Sequence, residues 1–334
     1  MQPDIIIELE KIRDPFSGLG QFSQSLANAI SKNNHHLNIS AILPHHFSIP
    51  GIHTISERRT LFKFSLFTPR AKLWHLTHQD SRYKPKRSSN YILTIHDLND
   101  LIEKPNEKSD ILIKISSLVK GAKHIVCISN YTKAEVLKVF PNLNNISTIY
   151  NGVPRLKAAE KPAIEILKPF FFNIGTVLEK KNVHTIVEMA KLSSDKDFII
   201  AGSIDSVYAK EIQKNKPSNV HFVGKVSDEN KSWYYENCQG LIFPSLLEGF
   251  GLPVVEAMSV GKPLFLSNKT SLPEIGGEDA FYFEDFSPQS MLQTIKNGIN
   301  SFSDKQANRL KERASNFSWD VAAKKYLSLY ESLI

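Results

Sequence analysis

Two carboxylates, Glu248 and Glu256, flank a turn that carries Gly249 and Gly251. The stretch runs Ser245-Leu-Leu-Glu-Gly-Phe-Gly-Leu-Pro-Val-Val-Glu-Ala257 and follows an apolar run, Gln239–Pro244, that reads as a buried strand. A strand ending in glycines and leading into a helix is where an α/β sheet receives a phosphorylated ligand. Glycine lets the amides around Phe250, Gly251 and Leu252 approach such a ligand with no Cβ in the way. Pro253 suits the first helical turn, where its missing N–H costs nothing. Glu256 is expected in that same turn, within reach of vicinal hydroxyls. A ligand with both phosphates and hydroxyls, such as a sugar nucleotide, matches this set; a glycine-rich turn with two solvated glutamates is the plainer alternative.

The string resembles the E-x7-E signature of retaining GT-B glycosyltransferases of family 4, whose members continue with Gly-Lys/Arg-Pro and Ser-Leu-Pro-Glu steps. This chain has both, as Gly261-Lys-Pro263 and Ser271-Leu-Pro-Glu274. The resemblance implies two Rossmann-like doubly wound domains facing a cleft. It also implies a nucleotide diphosphate-sugar held mainly by the second domain, with Glu248, Gly249, Phe250, Gly251 and Leu252 at the sugar and Glu256 at the ribose. Gly175-Thr-Val-Leu-Glu-Lys-Lys-Asn182 is similar to the family's basic diphosphate clamp, so Lys180 and above all Lys181 are expected to neutralise the leaving diphosphate with no metal. Lysine stands at 180 where an arginine is usual, without the planar fork, and Thr176 stands where many members carry a further arginine. Gly18 and Gly20, in Arg13-Asp-Pro-Phe-Ser-Gly-Leu-Gly20, resemble the glycine loop beside the donor phosphates. His96 matches a histidine placed near the donor sugar, with Asp97 to orient it or to cap the next segment. Glu248, His96 and Lys181 are therefore the residues expected to carry catalysis. The attack is expected on the front face, the leaving phosphate taking the acceptor's proton.

Ile95-His-Asp-Leu98 and Glu179-Lys-Lys-Asn182 look closest to mannosyltransferases of bacterial surface-polysaccharide pathways, which favours GDP-mannose as donor over a UDP-sugar. The acceptor is expected to be a glycan or a lipid-linked glycan, with Trp74, His75, His78 and Gln79 as a polar–aromatic cluster beside it. No cofactor is expected. Asp195-Lys-Asp197 precedes a strand, at the edge away from ligands, and His35-His36 and His45-His46 lack a third partner at useful spacing, so no metal is expected. Two rivals remain: a relative of the same fold with other chemistry, such as an epimerase or phosphorylase, and a silent nucleotide-sugar or membrane-surface binding module.

These residues need two α/β halves to hold them. Strand-like runs alternate with helical patterns throughout. In the first half they fall at Asp4–Leu9, Asn38–Leu43, Leu73–Thr77, Tyr91–Ile95, His124–Ile128 and Ser147–Tyr150, with Phe22, Leu26, Ala29 and Ile30 at helical spacing after the first. Pro154, Pro162 and Pro169 mark a linker. The second half has Phe170–Gly175, Phe198–Ala201, Val220–Val223, Leu241–Phe243, Leu264–Leu266 and Phe281–Phe283. The domains are expected at 1–155 and 165–316, with a C-terminal helix, 318–334, packing back on the first. Asn151-Gly152 reads as a structural turn, Val223-Gly-Lys-Val226 resembles the place where the base is held, and Ser129-Asn130 reads as a helix cap.

A chain of 334 residues, 41% hydrophobic and 22% charged, is comfortable for two soluble domains. No run reaches the ~18 apolar residues of a membrane span, and the N-terminus lacks the basic and apolar regions of a signal peptide. Cys127 and Cys238 read as buried thiols, which suits a reducing cytoplasm. The net charge of +7 is concentrated: residues 57–87 hold nine lysines and arginines against two acids. Interleaved with Phe62, Phe64, Leu66 and Phe67, this segment suits either an anionic membrane surface or a solvated loop; no nucleic-acid motif accompanies it.

Overall fold

The computed structural model of the chain describes residues 2–57, 68–83, 90–153 and 156–334. Two compact units divide it: Met1–Gly152 with Ser318–Ile334, and Val153–Phe317. Six of the nine basic residues of segment 57–87 (Arg58, Arg59, Lys63, Lys84, Lys86 and Arg87), with Phe62, Phe64, Leu66 and Phe67, lie outside the described residues.

The first unit is a parallel sheet of β1 (Ile5–Glu8), β2 (Ile39–Leu43), β3 (His53–Ser56), β4 (Leu73–Leu76), β5 (Asn90–Ile95), β6 (His124–Cys127) and β7 (Ile146–Thr148), in the order β3-β2-β1-β4-β5-β6-β7. Strands β1, β2 and β4 are buried at every position, as strands covered on both faces must be. The chain builds outward from β1 to β3, then returns to place β4 on the other side of β1. The reversal opens a crevice beyond the carboxyl ends of β1 and β4, the place where such sheets bind ligands. Helices α1 (Gly18–Asn33), α2 (Asp100–Glu103), α3 (Lys108–Gly121) and α4 (Asn130–Val139) connect the strands. Ser17 caps α1 and Ser129 caps α4 through their hydroxyls.

The second unit repeats the plan with β8 (Phe170–Ile174), β9 (Asp197–Ala201), β10 (Val220–Gly224), β11 (Leu241–Phe243), β12 (Leu264–Ser267) and β13 (Phe281–Phe283), ordered β10-β9-β8-β11-β12-β13. Its reversal lies between β8 and β11. Around it run α5 (Val183–Ala190), α6 (Val207–Lys214), α7 (Asp228–Asn237), α8 (Leu252–Ser259), α9 (Leu272–Gly276), α10 (Pro288–Ser301) and α11 (Asp304–Ser315). The core joins Phe171, Phe198 and Phe265 from the sheet to Val187 and Met189 of α5.

Every expected strand is present, shifted at most two residues at an end. The sheet adds β3, which sequence reading misses: His-Thr-Ile-Ser has no apolar run, and as an edge strand it is half exposed. The stretch expected as a linker belongs to the second unit from Val153 onward. There Lys157 pairs with Asp228 and Glu229, and the Glu160 N–H donates to the Glu229 carbonyl.

Helix α12 (Trp319–Leu333) belongs to the first unit. Gly152 and Trp319 touch where the chain leaves and re-enters it: a Cβ on Gly152 would lie 2.1 Å from the Trp319 nitrogen. The helix is fixed by Asp320, 2.8 Å from Lys32 of α1, and by a buried hydrogen-bonded row. In that row His75 bonds the Tyr330 hydroxyl at 2.6 Å and the Thr94 hydroxyl at 2.8 Å, and Thr94 bonds the Tyr326 hydroxyl at 3.1 Å. Trp74 and His75, expected beside an acceptor, are wholly buried, His75 in this row and Trp74 in the core with Tyr83 and Ile115. Tyr330→Phe strands one nitrogen of His75 and should cost about 1–3 kcal/mol. Hydrogen exchange should show faster opening across 319–333 with amides of the second unit unchanged; equal protection in the variant would contradict this role.

Candidate functional site

The reversal in the second unit brings together the loops after β8 and β11. After β8, residues Glu179–Lys181 form a single 3-10 turn that Asn182 ends in the left-handed conformation, at φ 57°. After β11, the chain runs through Ser245–Gly251 into α8. The two loops are sewn together: the Leu246 N–H donates to the Lys180 carbonyl at 2.8 Å, and the Ser245 hydroxyl donates to the same oxygen at 3.3 Å. Lys181 and Glu248 meet across the seam, Nζ to Oε1 at 2.5 Å, with 19% and 12% of their side chains exposed. The Lys181 ammonium also stands 5.5 Å from the centre of the Phe243 ring, a cation–π distance.

Gly251 is the N-cap of α8 at φ 101°, and a Cβ there would lie 2.9 Å from Leu272. Both facts demand glycine. The Phe250 ring is buried against Phe317 at 5.6 Å, and its carbonyl accepts from Ser271, which also donates to the Glu248 carbonyl. Ser271, part of the Ser-Leu-Pro-Glu step, therefore holds the shape of the acidic turn.

Glu256 departs from expectation. It lies in the second turn of α8 rather than the first, and it is 4% exposed. Oε1 takes the Lys231 ammonium at 2.9 Å and Oε2 takes the Tyr235 hydroxyl at 2.7 Å, both from α7. Burial alone would lower the Lys231 pKa, but Glu256 and Asp228 raise it, so the ammonium keeps its charge. Lys231 and Tyr235 share one face of α7 at i, i+4 spacing, the signal from which such a pairing is legible.

In the first unit the loops after β1, β4 and β5 converge. His96 follows β5 and is buried, its ring edge-on to Phe22 at 4.5 Å. A carbonyl only accepts, so Nε2 donates its hydrogen to Thr77 O at 2.9 Å. Burial drives the His96 pKa down to about 3, more strongly than that bond raises it. The ring is neutral and Nδ1 is a bare acceptor. Asp97 does not orient it; its carboxylate caps the following turn at the Asn99 amide, 3.0 Å away. Gln79 braces this loop, accepting from the His96 N–H at 3.1 Å and donating to Asp97 O at 3.0 Å, so its amide is spent on the loop and not left for an acceptor.

Gly18 opens α1 with no atom near its Cβ position, whereas Gly20 is glycine because a Cβ would collide with the Asp14 carbonyl. The Gly20 N–H is also taken, by Ser17 Oγ at 3.1 Å. Of the two expected phosphate-facing glycines, only Gly18 keeps an open position.

Sequence reading misses Glu8 and Glu10. Glu8 ends β1, Glu10 opens the turn that follows, and His78 lies just past β4 with Nε2 at 3.5 Å from Glu8 and 3.6 Å from Glu10. Among the described residues, this is the group whose ligand atoms lie near enough together to consider a metal. The histidine tautomer opposes it. A ligating imidazole nitrogen must be bare, with the other nitrogen donating; here the Asp80 N–H donates to Nδ1 at 3.1 Å, so the hydrogen sits on Nε2. Asp195 and Asp197 stand at the N-terminal end of β9, away from the carboxyl edge. Both cysteines are buried thiols, pushed up to about 12 by burial. A cavity of about 430 Å³ between β7 and α12, lined by Ser147, Thr148, Lys324, Lys325 and Ser328 among others, includes none of the expected residues.

Comparison with known proteins agrees with this reading. Two doubly wound parallel units are the fold of GT-B glycosyltransferases: sucrose-phosphate synthase from Thermosynechococcus elongatus superposes with a TM-score of 0.80 at 17% identity, over 100% of this chain and 99% of that one. Residues 155–317, nearly all of the second unit, match the family model of glycosyl transferases group 1, which with the relatives below supports a glycosyltransferase. It is similar to the O-antigen chain mannosyltransferase B of Escherichia coli, 22% identical over 98% of this chain and all of the relative. It is also similar to the O-antigen chain mannosyltransferase RfbU of Salmonella typhimurium, 28% identical over 62% of this chain and 60% of that protein. Among the described residues, no helix is long and apolar enough to cross a membrane.

Two outcomes follow from the site's electrostatics. Glu256→Ala leaves the buried Lys231 charge unmatched and should cost about 3–5 kcal/mol, against about 1 kcal/mol for Glu248→Ala at its more open pair; denaturant titration that found equal losses would contradict this. His75 and His96 both sit near pKa 3 in the folded chain, burial being the main cause, against 6.5 unfolded. Their stabilising contribution is complete above pH 6.5 and is lost as pH falls toward 3. Between pH 7 and 5.5 each should remove about 1 kcal/mol, with His78, whose pKa is raised, offsetting part. His96→Gln should flatten the measured pH slope by one histidine's share; an unchanged slope would contradict the assignment.

Proposed function

We propose that this glycosyltransferase moves mannose from GDP-mannose to a glycan or lipid-linked acceptor in surface-polysaccharide synthesis, with retention at the anomeric carbon and no metal ion. The observation that carries the chemistry is the Lys181–Glu248 pair, 2.5 Å apart at the reversal of the second sheet. The mannose reading is supported by the O-antigen mannosyltransferases that the chain resembles.

In the free protein each charge of this pair neutralises the other. An arriving diphosphate carries more negative charge than one carboxylate and draws Lys181 to its oxygens. Glu248 is then released to the sugar hydroxyls. As the glycosidic bond breaks, charge grows on the departing phosphate, and the ammonium already beside it stabilises that charge with no reorganisation. A lysine in this position supplies what a divalent cation supplies elsewhere. Lys180, one residue earlier, adds to the field. Glu256 keeps lone pairs beyond those used by Lys231 and Tyr235, and these take the ribose hydroxyls. His96, neutral, offers Nδ1 as an acceptor for a sugar hydroxyl. The departing phosphate oxygen takes the acceptor's proton on the face it leaves.

The test is turnover on a panel of GDP-, UDP- and ADP-sugars with EDTA present, with the anomeric configuration of the product read by NMR. GDP-mannose should be used with retention and without loss to the chelator. Lys181→Ala should lower turnover by about 10²–10³, and Lys181→Arg should keep most of it. Manganese rescue of an EDTA-inactivated protein, or Lys181→Ala turning over at the native rate, would overturn the proposal.

A further inference from the structure

The first six strands of each sheet follow the same order, so each sheet has one reversal and one crevice at its carboxyl edge. The crevice of the second unit is lined with the charges described above. The equivalent place in the first unit, past β1 and β4, holds Glu8, Glu10 and His78. None of the three has a part in the donor chemistry, and their composition differs: two carboxylates face one imidazole.

The hydrogen-bond inventory of this group is incomplete. Glu8 Oε1 accepts the Glu10 N–H at 2.8 Å, and Thr77 gives its hydroxyl hydrogen to the Glu8 carbonyl at 2.7 Å. Neither bond satisfies His78. Its Nδ1 is occupied by the Asp80 amide, so Nε2 carries a hydrogen, and that nitrogen is buried without a hydrogen-bond partner. It points at Glu8 Oε2 and Glu10 Oε1 from 3.5 and 3.6 Å, too far to bond either well. A buried donor left unmade costs about 1–3 kcal/mol, so the geometry invites a group that completes it.

That group must accept from Nε2 and donate to a carboxylate. The three ligand atoms lie within 4.8 Å of one another, and one oxygen above their plane reaches all three at about 2.8 Å, an ordinary hydrogen-bond distance. A hydroxyl has both a hydrogen and lone pairs. A carboxylate has no hydrogen to give, a phosphate would bring its negative charge against two carboxyl groups, and a metal is opposed by the tautomer. Glu10 keeps 10% of its side chain exposed while Glu8 and His78 are enclosed, so the opening is on the Glu10 side.

We infer that Glu8, Glu10 and His78 form a hydroxyl-reading site for an uncharged, polyhydroxylated ligand, the terminal sugar of the acceptor glycan. The inference takes the acceptor's identity as a glycan from the function proposed above. The site binds one hydroxyl of the ring, accepting its hydrogen at Glu10 or Glu8 and donating to it from His78. Burial pushes the Glu10 carboxyl up, but His78 beside it, with Lys11 at 3.7 Å and Arg82, holds it below its usual value, so its acceptor capacity is intact. Gln79, which the sequence pairs with His78, has no part in it.

The probe is methyl α-mannoside on the full chain, with GDP added to occupy the nucleotide site, followed by saturation-transfer NMR and titration. The native chain should bind, and Glu10→Gln and His78→Ala should weaken binding about tenfold or more. Glu10→Gln is the decisive variant, because it is nearly the same shape and its fold can be checked by its melting curve. Binding of GDP itself should be unchanged in both. No saturation transfer in the native chain, or equal affinity in Glu10→Gln, overturns the inference. Transfer from GDP-mannose is a separate readout: a native chain that binds the mannoside but transfers nothing sinks the proposed reaction and leaves this site standing.

Discussion

Strand order is the constraint on which the structure depends. Parallel strands that start in the middle, build to one edge and return to the other must leave one place where neighbouring connections run to opposite sides. No helix can cover that place from both directions, so the ends of two loops remain open there. In the first unit those loops carry Glu8, Glu10 and His78; in the second they carry Lys181 and Glu248. The sheets supply position and the loops supply chemistry. The buried strands β1, β2, β4, β8 and β9 do little but fix that position.

Burial separates the ionisable groups by role. Glu256 and Lys231 are enclosed, matched to each other, and costly to separate. His75 and His96 are enclosed and neutral, held by hydroxyls and a carbonyl. Lys181 and Glu248 are more open, 19% and 12% exposed against 10% and 5% for Lys231 and Glu256, and under the proposed function an arriving diphosphate competes for the lysine.

Much of this was legible in the chain itself. Apolar runs marked twelve of the thirteen strands among the described residues, because parallel strands buried on both faces must be apolar throughout. The acidic turn, the lysine pair and the strand-end histidine were visible because each sits next to such a run. Less visible were relations that depend on folding across the sequence. That Glu256 already bonds Lys231 and Tyr235 shows only once α7 is packed against α8. Gly20 looks like a phosphate loop until the Asp14 carbonyl fills the space of its missing Cβ. Glu8 and His78 are separated by a whole crossover and two strands, and only the return of the chain to β1 makes them neighbours.

The central claim is that an ammonium and a carboxylate at the second reversal part to receive the donor. A crystal of the full chain grown with GDP-mannose and no divalent metal tests it most directly. The account requires diphosphate oxygens within hydrogen-bond distance of Lys181 Nζ, beyond the carboxyl ends of β8 and β11, with Glu248 turned to the sugar. A donor lodged away from that seam, or one bound while Lys181 and Glu248 remain joined, would contradict it.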